Sequence, residues 1–320
     1  MNSLSRLAFA VILALASVAT ATRPVGAQKP DQTSGAIKLE SNLVAVDAAV
    51  LDKNGNYVRN LKAEDFVVTD DGAPQPIGFF EASEQAEETR PLAVVFSLDV
   101  SGSIQPEEIV KQRDAADSFI RLLKSDSQFA VITFNYRIRV VQNFTSDPAK
   151  ISHAFMKTGS PEGSTRLFAS IDQAVTMLQR GPQFRGGRRL RRVVIVITDG
   201  YDSVDSVDQR ALIRRANDAG VTVYSITLPS YIAGQNRRAL TLLDASMIVE
   251  QTGGTDFSAD SNDFSPAFKA LAQEIRSSYT LAYYPPESIR HDGRVHQIRV
   301  QVEKPGLIVR ASRQSYVATK

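Results

Sequence analysis

Pro91-Leu-Ala-Val-Val-Phe-Ser-Leu98 runs directly into Asp99-Val100-Ser101-Gly102-Ser103. The first eight residues form a continuous apolar run, which fits a central parallel strand buried on both faces. Such a strand needs helices on either side of its sheet, and the chain downstream supplies them. Pro106 sits where a helix should start, with Ile109, Ala116, Phe119, Ile120 and Leu123 as its apolar stripe. Phe129 to Phe134 and Ile138 to Val141 flank Asn135-Tyr136-Arg137 as a hairpin. Helices are expected near Ile151 to Lys157 and from Leu167 to Arg180. Val193 to Thr198 is a second strongly buried strand. It is followed by a helix over Gln209 to Ala219, a strand over Val221 to Thr227, and helices over Arg237 to Gln251 and Pro266 to Ser277. This alternation predicts an α/β fold, a doubly wound and mostly parallel sheet covered on both faces.

Outside that middle the pattern changes. From Ile37 to Glu81 short alternating runs are separated by Asn54-Gly55 and Asp70-Asp71-Gly72, the marks of a small antiparallel β module. Residues 82–90 form an acidic linker. Tyr279 to Tyr284 either ends the α/β sheet or bridges out of it. Beyond it, Gln297 to Val302, Gly306 to Ala311 and Tyr316-Val317 are short strands around Asp292-Gly293 and Pro305-Gly306. Two β-rich ends around one α/β middle suggest an insertion, with the ends pairing into one sandwich-like domain or forming two modules. The expected division is an N-terminal β module over 37–86, the α/β domain over 87–285 and C-terminal strands over 286–320.

The first 27 residues read as an export signal, with Arg6 in the positive region and an apolar run from Leu7 to Ala16 too short to span a bilayer comfortably. Residues 28–36 are a polar lead-in. No later segment is long and apolar enough to cross a membrane. The 320 residues are 43% hydrophobic and 22% charged, a packed globular composition, and the formal charge is +2. Removing Arg6 and Arg23 with the signal leaves a neutral chain, so no global field draws it to nucleic acid. There is no Cys, hence no disulfide framework and no lipoprotein anchor.

The chemistry concentrates at the carboxyl ends of the two buried strands, where open α/β sheets bind ligands. Asp99, Ser101 and Ser103 alternate, so an extended loop turns their oxygens to one side, and Gly102 allows a close backbone approach. The second strand ends in Thr198-Asp199-Gly200, and Gly163-Ser164-Thr165 precedes a helix aimed at the same place. Carboxylate and hydroxyl oxygens without Cys or His describe a hard-cation site. So few acids suit Mg²⁺, with Mn²⁺ compatible and Ca²⁺ less so. Taken alone, Asp-x-Ser-x-Ser is more often a helix cap or a loop. The coincidence of three separated segments is what favours a metal.

Asp99-x-Ser101-x-Ser103, Thr165 within Gly-Ser-Thr-x-Leu, and Asp199 within Ile-Thr-Asp-Gly together resemble the metal-ion-dependent adhesion site of a von Willebrand factor type A domain. The flanks, Leu61-x-x-x-Asp65-Phe66 with Asp71-Gly72 and Tyr283-x-Pro285 with Asp292-Gly293 and His296, resemble the bacterial exported family related to it. The resemblance implies direct coordination by Ser101, Ser103 and sometimes Thr165, with Asp99 and Asp199 acting largely through water. It also implies a remaining position that takes an Asp or Glu carboxylate from a partner protein. The expected function is therefore an exported, metal-dependent protein-binding module in the periplasm, on the cell surface or secreted, and not an enzyme. A metal-assisted hydrolase and a purely structural metal are the alternatives.

Other candidates have plainer readings. His291 and His296 flank a turn and are expected at the surface. Arg185, Arg188, Arg189, Arg191 and Arg192 are expected to form a solvated loop. Asp202, Asp205 and Asp208 are similar to a calcium loop but lack its Gly and closing Glu, and helix capping accounts for Asp208.

Overall fold

A computed structural model describes residues 43–82, 90–123, 126–204, 207–231, 238–240, 244–260 and 262–318. The expected export signal, the lead-in, residues 83–89 of the acidic linker and Asp205 lie outside them.

The chain opens with β1 (Val44–Leu51), β2 (Phe66–Asp70), β3 (Ala73–Gln75) and β4 (Phe79–Ala82). The α/β part follows as β5 (Leu92–Asp99), α1 (Pro106–Leu122), β6 (Gln128–Phe134), β7 (Ile138–Thr145), α2 (Pro148–Met156) and α3 (Leu167–Arg180). After the small hairpin β8 (Phe184–Arg185) and β9 (Arg188–Arg189) come β10 (Arg191–Thr198), α4 (Gln209–Ala219) and β11 (Val221–Thr227). A second short pair, β12 (Pro229–Tyr231) and β13 (Arg238–Leu240), precedes α5 (Ser246–Gln251), β14 (Asp256–Ser258) and α6 (Ser265–Arg276). The chain closes with β15 (Tyr279–Tyr283), α7 (Glu287–Arg290), β16 (Val295–Val302), β17 (Ile308–Ala311) and β18 (Ser315–Val317).

Six strands make the central sheet in the order β14-β11-β10-β5-β6-β7, parallel throughout except for the β6–β7 hairpin. Alternation along β5 explains the two-sided burial. Leu92, Val94, Phe96 and Leu98 pack with α1, α2 and α6, whereas Ala93 and Val95 pack with α3, α4 and α5. Val193, Ile195 and Ile197 of β10 join the first core, and Val194 and Val196 join the second. The longer expected helix over 237–251 is not observed. Among the described residues of that range, 238–240 pair as β13 and Ser246–Gln251 alone is helical.

The ends of the chain share two further antiparallel sheets, β17-β1-β15-β4 and β18-β16-β2-β3, around one core of Val46, Val50, Phe66, Val68, Tyr279, Leu281 and Val300. Each sheet takes strands from both ends. Val46 faces Leu281, Ala48 faces Ala311, and Val68 faces Val300. Tyr279 to Tyr283 thus belongs to this sandwich, and α6 is the last element of the α/β layer.

Three contacts tie the sandwich to that layer. Glu274 of α6, wholly buried, accepts from Tyr57 OH (2.9 Å) and Thr255 Oγ1 (3.0 Å) and pairs with Arg310 (3.4 Å). Gly253 and Gly254 thread between the two, where a Cβ would lie 1.9 Å from the Ala311 and Val223 carbonyl oxygens respectively. Asp47 of β1 bridges Arg90 (3.0 Å) and Arg191 (3.1 Å). The arginine run therefore differs from the solvated loop expected: Arg191 is buried and also donates to Ser278 Oγ and Tyr224 OH, both at 3.0 Å, while Arg188 pairs with Glu81. Burial works against the charge of Asp47, but Arg191 and Arg90 outweigh it and hold the carboxyl below its ordinary range.

Candidate metal centre

The site is built where β5 and β10 end side by side. Asp99 is the last residue of β5, and its side chain is fixed from two directions. Ser101 N–H donates to Oδ1 (2.8 Å), and Thr198 Oγ1 at the end of β10 donates to Oδ2 (2.7 Å). The Thr198 hydroxyl also accepts from Gly200 N–H (3.1 Å), shaping the turn that holds Asp199. Beyond Asp99 the chain turns tightly, with Ile104 N–H donating to the Ser101 carbonyl (3.1 Å), before Gln105 caps α1. The turn brings the Ser101 and Ser103 hydroxyl oxygens within 3.3 Å.

The third segment is latched onto the first. Gly102 N–H donates to the Gly163 carbonyl (3.1 Å) and Glu162 N–H to the Val100 carbonyl (2.9 Å). Gly102 itself has room for a Cβ, which would sit 3.6 Å from Gly163. The close approach is made by Gly163 instead: its φ is +75°, and a Cβ there would lie 2.6 Å from the Tyr136 ring. Thr165 is held by Ser203, whose Oγ accepts from Thr165 N–H (2.7 Å) and whose N–H donates to the Thr165 carbonyl (2.9 Å). Asp202 accepts from Phe168 N–H (2.9 Å) at the start of α3. Thr198, Ser203 and Asp202 support the site and were missed in the sequence. The signal for them was adjacency to Asp199 at a strand's carboxyl end.

Asp99, Ser101, Thr165 and Asp199 are all buried, and Ser103 is half-buried. Asp99 is 1% exposed, and the hydrogen bonds it accepts from Ser101 and Thr198 come from uncharged groups. Burial pushes its carboxyl up to about 7, Asp199 adds to the rise, and the Ser101 and Thr198 bonds only partly offset it. Among the described residues no ion pair reaches this carboxyl, and a cation would supply the missing counter-charge. The donor set, two acids and three hydroxyls, fits a hard divalent ion.

A second group of candidate ligand atoms lies in the sandwich, on Asp70, Asp71 and His296 within 4.8 Å of one another. Here the expectation of a surface histidine fails, because His296 is buried. Its Nδ1 pairs with Asp71 Oδ2 (2.8 Å) and its Nε2 with Asp292 Oδ1 (3.0 Å), leaving neither nitrogen free for a metal. His291 is exposed. Of the supposed calcium loop, Asp208 caps α4 through Arg210 N–H.

The chain belongs to the von Willebrand factor type A domain family, whose model matches residues 93–263. Domains of this family mediate protein–protein interactions and typically bind a divalent metal ion. No curated protein matches the chain. Similar solved structures include the conserved hypothetical protein BatB of Bacteroides thetaiotaomicron, with 21% identity and a TM-score of 0.45 over 57% of this chain and 97% of that one. A von Willebrand factor type A protein of Catenulispora acidiphila has 13% identity and a TM-score of 0.48 over 87% and 74%. The mussel byssus protein PTMP1, with zinc occupying its MIDAS motif, has 18% identity and a TM-score of 0.47 over 61% and 47%.

Proposed function

We propose that this chain is an exported binding module in which Asp99, Ser101, Ser103, Thr165 and Asp199 hold one Mg²⁺ that captures an Asp or Glu carboxylate of a partner protein. The observation that carries this reading is the buried Asp99 carboxylate, fixed by Ser101 and Thr198 and lacking a counter-charge. Two acids nearly neutralise a divalent ion, so an incoming carboxylate is attracted without meeting a crowded acidic site. Binding is favoured over hydrolysis because the neighbouring acids are engaged in holding the loops: Asp202 takes the Phe168 and Val204 amides, and Asp244 takes the Asp202 amide. The opening residues support export, and among the described residues no helix is long and apolar enough to cross a membrane.

Isothermal titration tests the metal. Asp99→Ala and Ser101→Ala are expected to abolish Mg²⁺ binding while circular dichroism stays unchanged; unaltered affinity overturns the reading. Affinity capture in Mg²⁺ against EDTA, with Asp99→Ala as control, then tests the partner. A set of captured proteins indifferent to both leaves the metal a structural role.

A further inference from the structure

The amino-terminal end of β10, at the other end of the strand from Asp199, is crowded with arginine. Arg90 and Arg191 hold the carboxylate of Asp47 at contact distance, and only its longer-range field reaches Arg189 and Arg313. Three more guanidiniums remain. Arg192 Nη1 donates to the Ala219 carbonyl (2.5 Å) at the end of α4, an uncharged acceptor. Arg313, on the link from β17 to β18, is 9% exposed, and its Nε is buried without an acceptor. No hydrogen bond or ion pair reaches the Arg313 guanidinium among the described residues. Its Nη2 lies against Gly220, where a Cβ would come within 2.5 Å, so it sits one residue from the carbonyl that Arg192 holds. Arg189 stands in β9 two residues ahead of β10, its carbonyl held by Arg90 Nε (3.0 Å). Burial, then the charge of Arg189, push both Arg192 and Arg313 down to about 10. The nearby acid, Asp218, accepts from Val317 N–H (3.1 Å); it attracts Arg313 but makes no contact ion pair with these arginines among the described residues.

Guanidinium forks that are desolvated and hold no carboxylate are the arrangement that recognises a phosphate group, because each fork can give two parallel N–H donors to its oxygens. We infer that Arg189, Arg192 and Arg313 form a binding site for a phosphate group, on free phosphate or a small phosphate monoester, at the seam between the end of α4 and the β17–β18 link. Three guanidiniums ask for a dianion with several acceptor oxygens rather than one carboxylate. The slight exposure of Arg313 admits a small ligand from the surface.

Thermal unfolding of the full chain in EDTA tests this, the chelator keeping the separate metal centre out of the readout. Inorganic phosphate at ten times its Kd is expected to raise Tm by roughly 2–4 °C over chloride of equal ionic strength. Glycerol phosphate in a parallel arm distinguishes a monoester from the free ion. Arg313→Gln is expected to raise Tm in chloride, because it removes an unpaired buried charge, and to abolish the response to phosphate. A structural arginine predicts the opposite, a lower Tm. The proposal is overturned if phosphate and glycerol phosphate both leave the wild-type Tm unchanged, or if Arg313→Gln responds as the wild type does. Should that variant fail to fold, the half-buried Arg189→Gln must lose the response instead.

Discussion

Asp99 depends on a hydroxyl from another strand. Thr198 donates to its Oδ2, so the orientation of the buried acid is set by β10 rather than by its own loop. Groups that orient the donors of a metal centre commonly contribute tenfold to a hundredfold in metal affinity. Thr198→Val keeps the shape and removes the donor, and is expected to weaken Mg²⁺ binding by roughly that factor with the fold intact, as titration calorimetry would read. Asp99, Ser101, Ser103, Thr165 and Asp199 were legible in the sequence because each stands beside a strand or helix end whose pattern is strong. Thr198 was not, since a threonine inside Val-Ile-Thr reads first as a β-branched strand residue.

At the scale of elements, apolar periodicity made the helices Leu167–Arg180 and Gln209–Ala219 and the strand Val221–Thr227 readable to the residue. Arg237 to Gln251 misled because Ala239 and Leu240 fit a helical pattern that pairing of β12 with β13 overrides. The turn histidine misled for a different reason. His296 on β16 joins the turn after β2 to the turn before its own strand, and Asp71 lies 225 positions away. Burial lowers its pKa, but the bonds to Asp292 and Asp71 outweigh that and raise it above the ordinary 6.5. A raised folded-state pKa contributes stability that is fully present below 6.5 and lost as pH rises through the raised value. Urea unfolding is expected to show the wild type losing stability above neutrality. His296→Gln should lie roughly 1–2 kcal/mol lower at pH 5.5 and show a flatter profile. Equal pH slopes for the two proteins would remove the histidine from this role.

For the whole molecule, Asp47 decides whether the two layers hold together. It is the carboxylate shared by Arg90 and Arg191, and its backbone bonds Ser312 at both ends, N–H to Oγ (2.9 Å) and carbonyl to N–H (2.7 Å). Asp47→Asn leaves two buried guanidiniums uncompensated and is expected to cost about 3–5 kcal/mol. Guanidinium unfolding with fluorescence and far-ultraviolet dichroism would measure it; a loss under 1 kcal/mol would show the pair to be dispensable. Neither the ion pair nor the burial of Arg191 could be read from the sequence, because a run of five arginines carries no mark of the single acid it folds against.

That pairing also sets an order of events in time. Asp47 and Ser312 stand 265 positions apart, and strands from both ends interleave in each sandwich sheet. At about 5–20 residues per second of synthesis, β1 waits roughly 10–50 s for β17 to emerge. The α/β layer, whose strands follow one another closely, can complete its core in that interval, while β1 to β4 remain an open hydrophobic surface. The layer that holds the candidate metal centre can therefore fold before the sandwich beside it closes, and the unclosed strands are the segment most exposed to aggregation or to a chaperone.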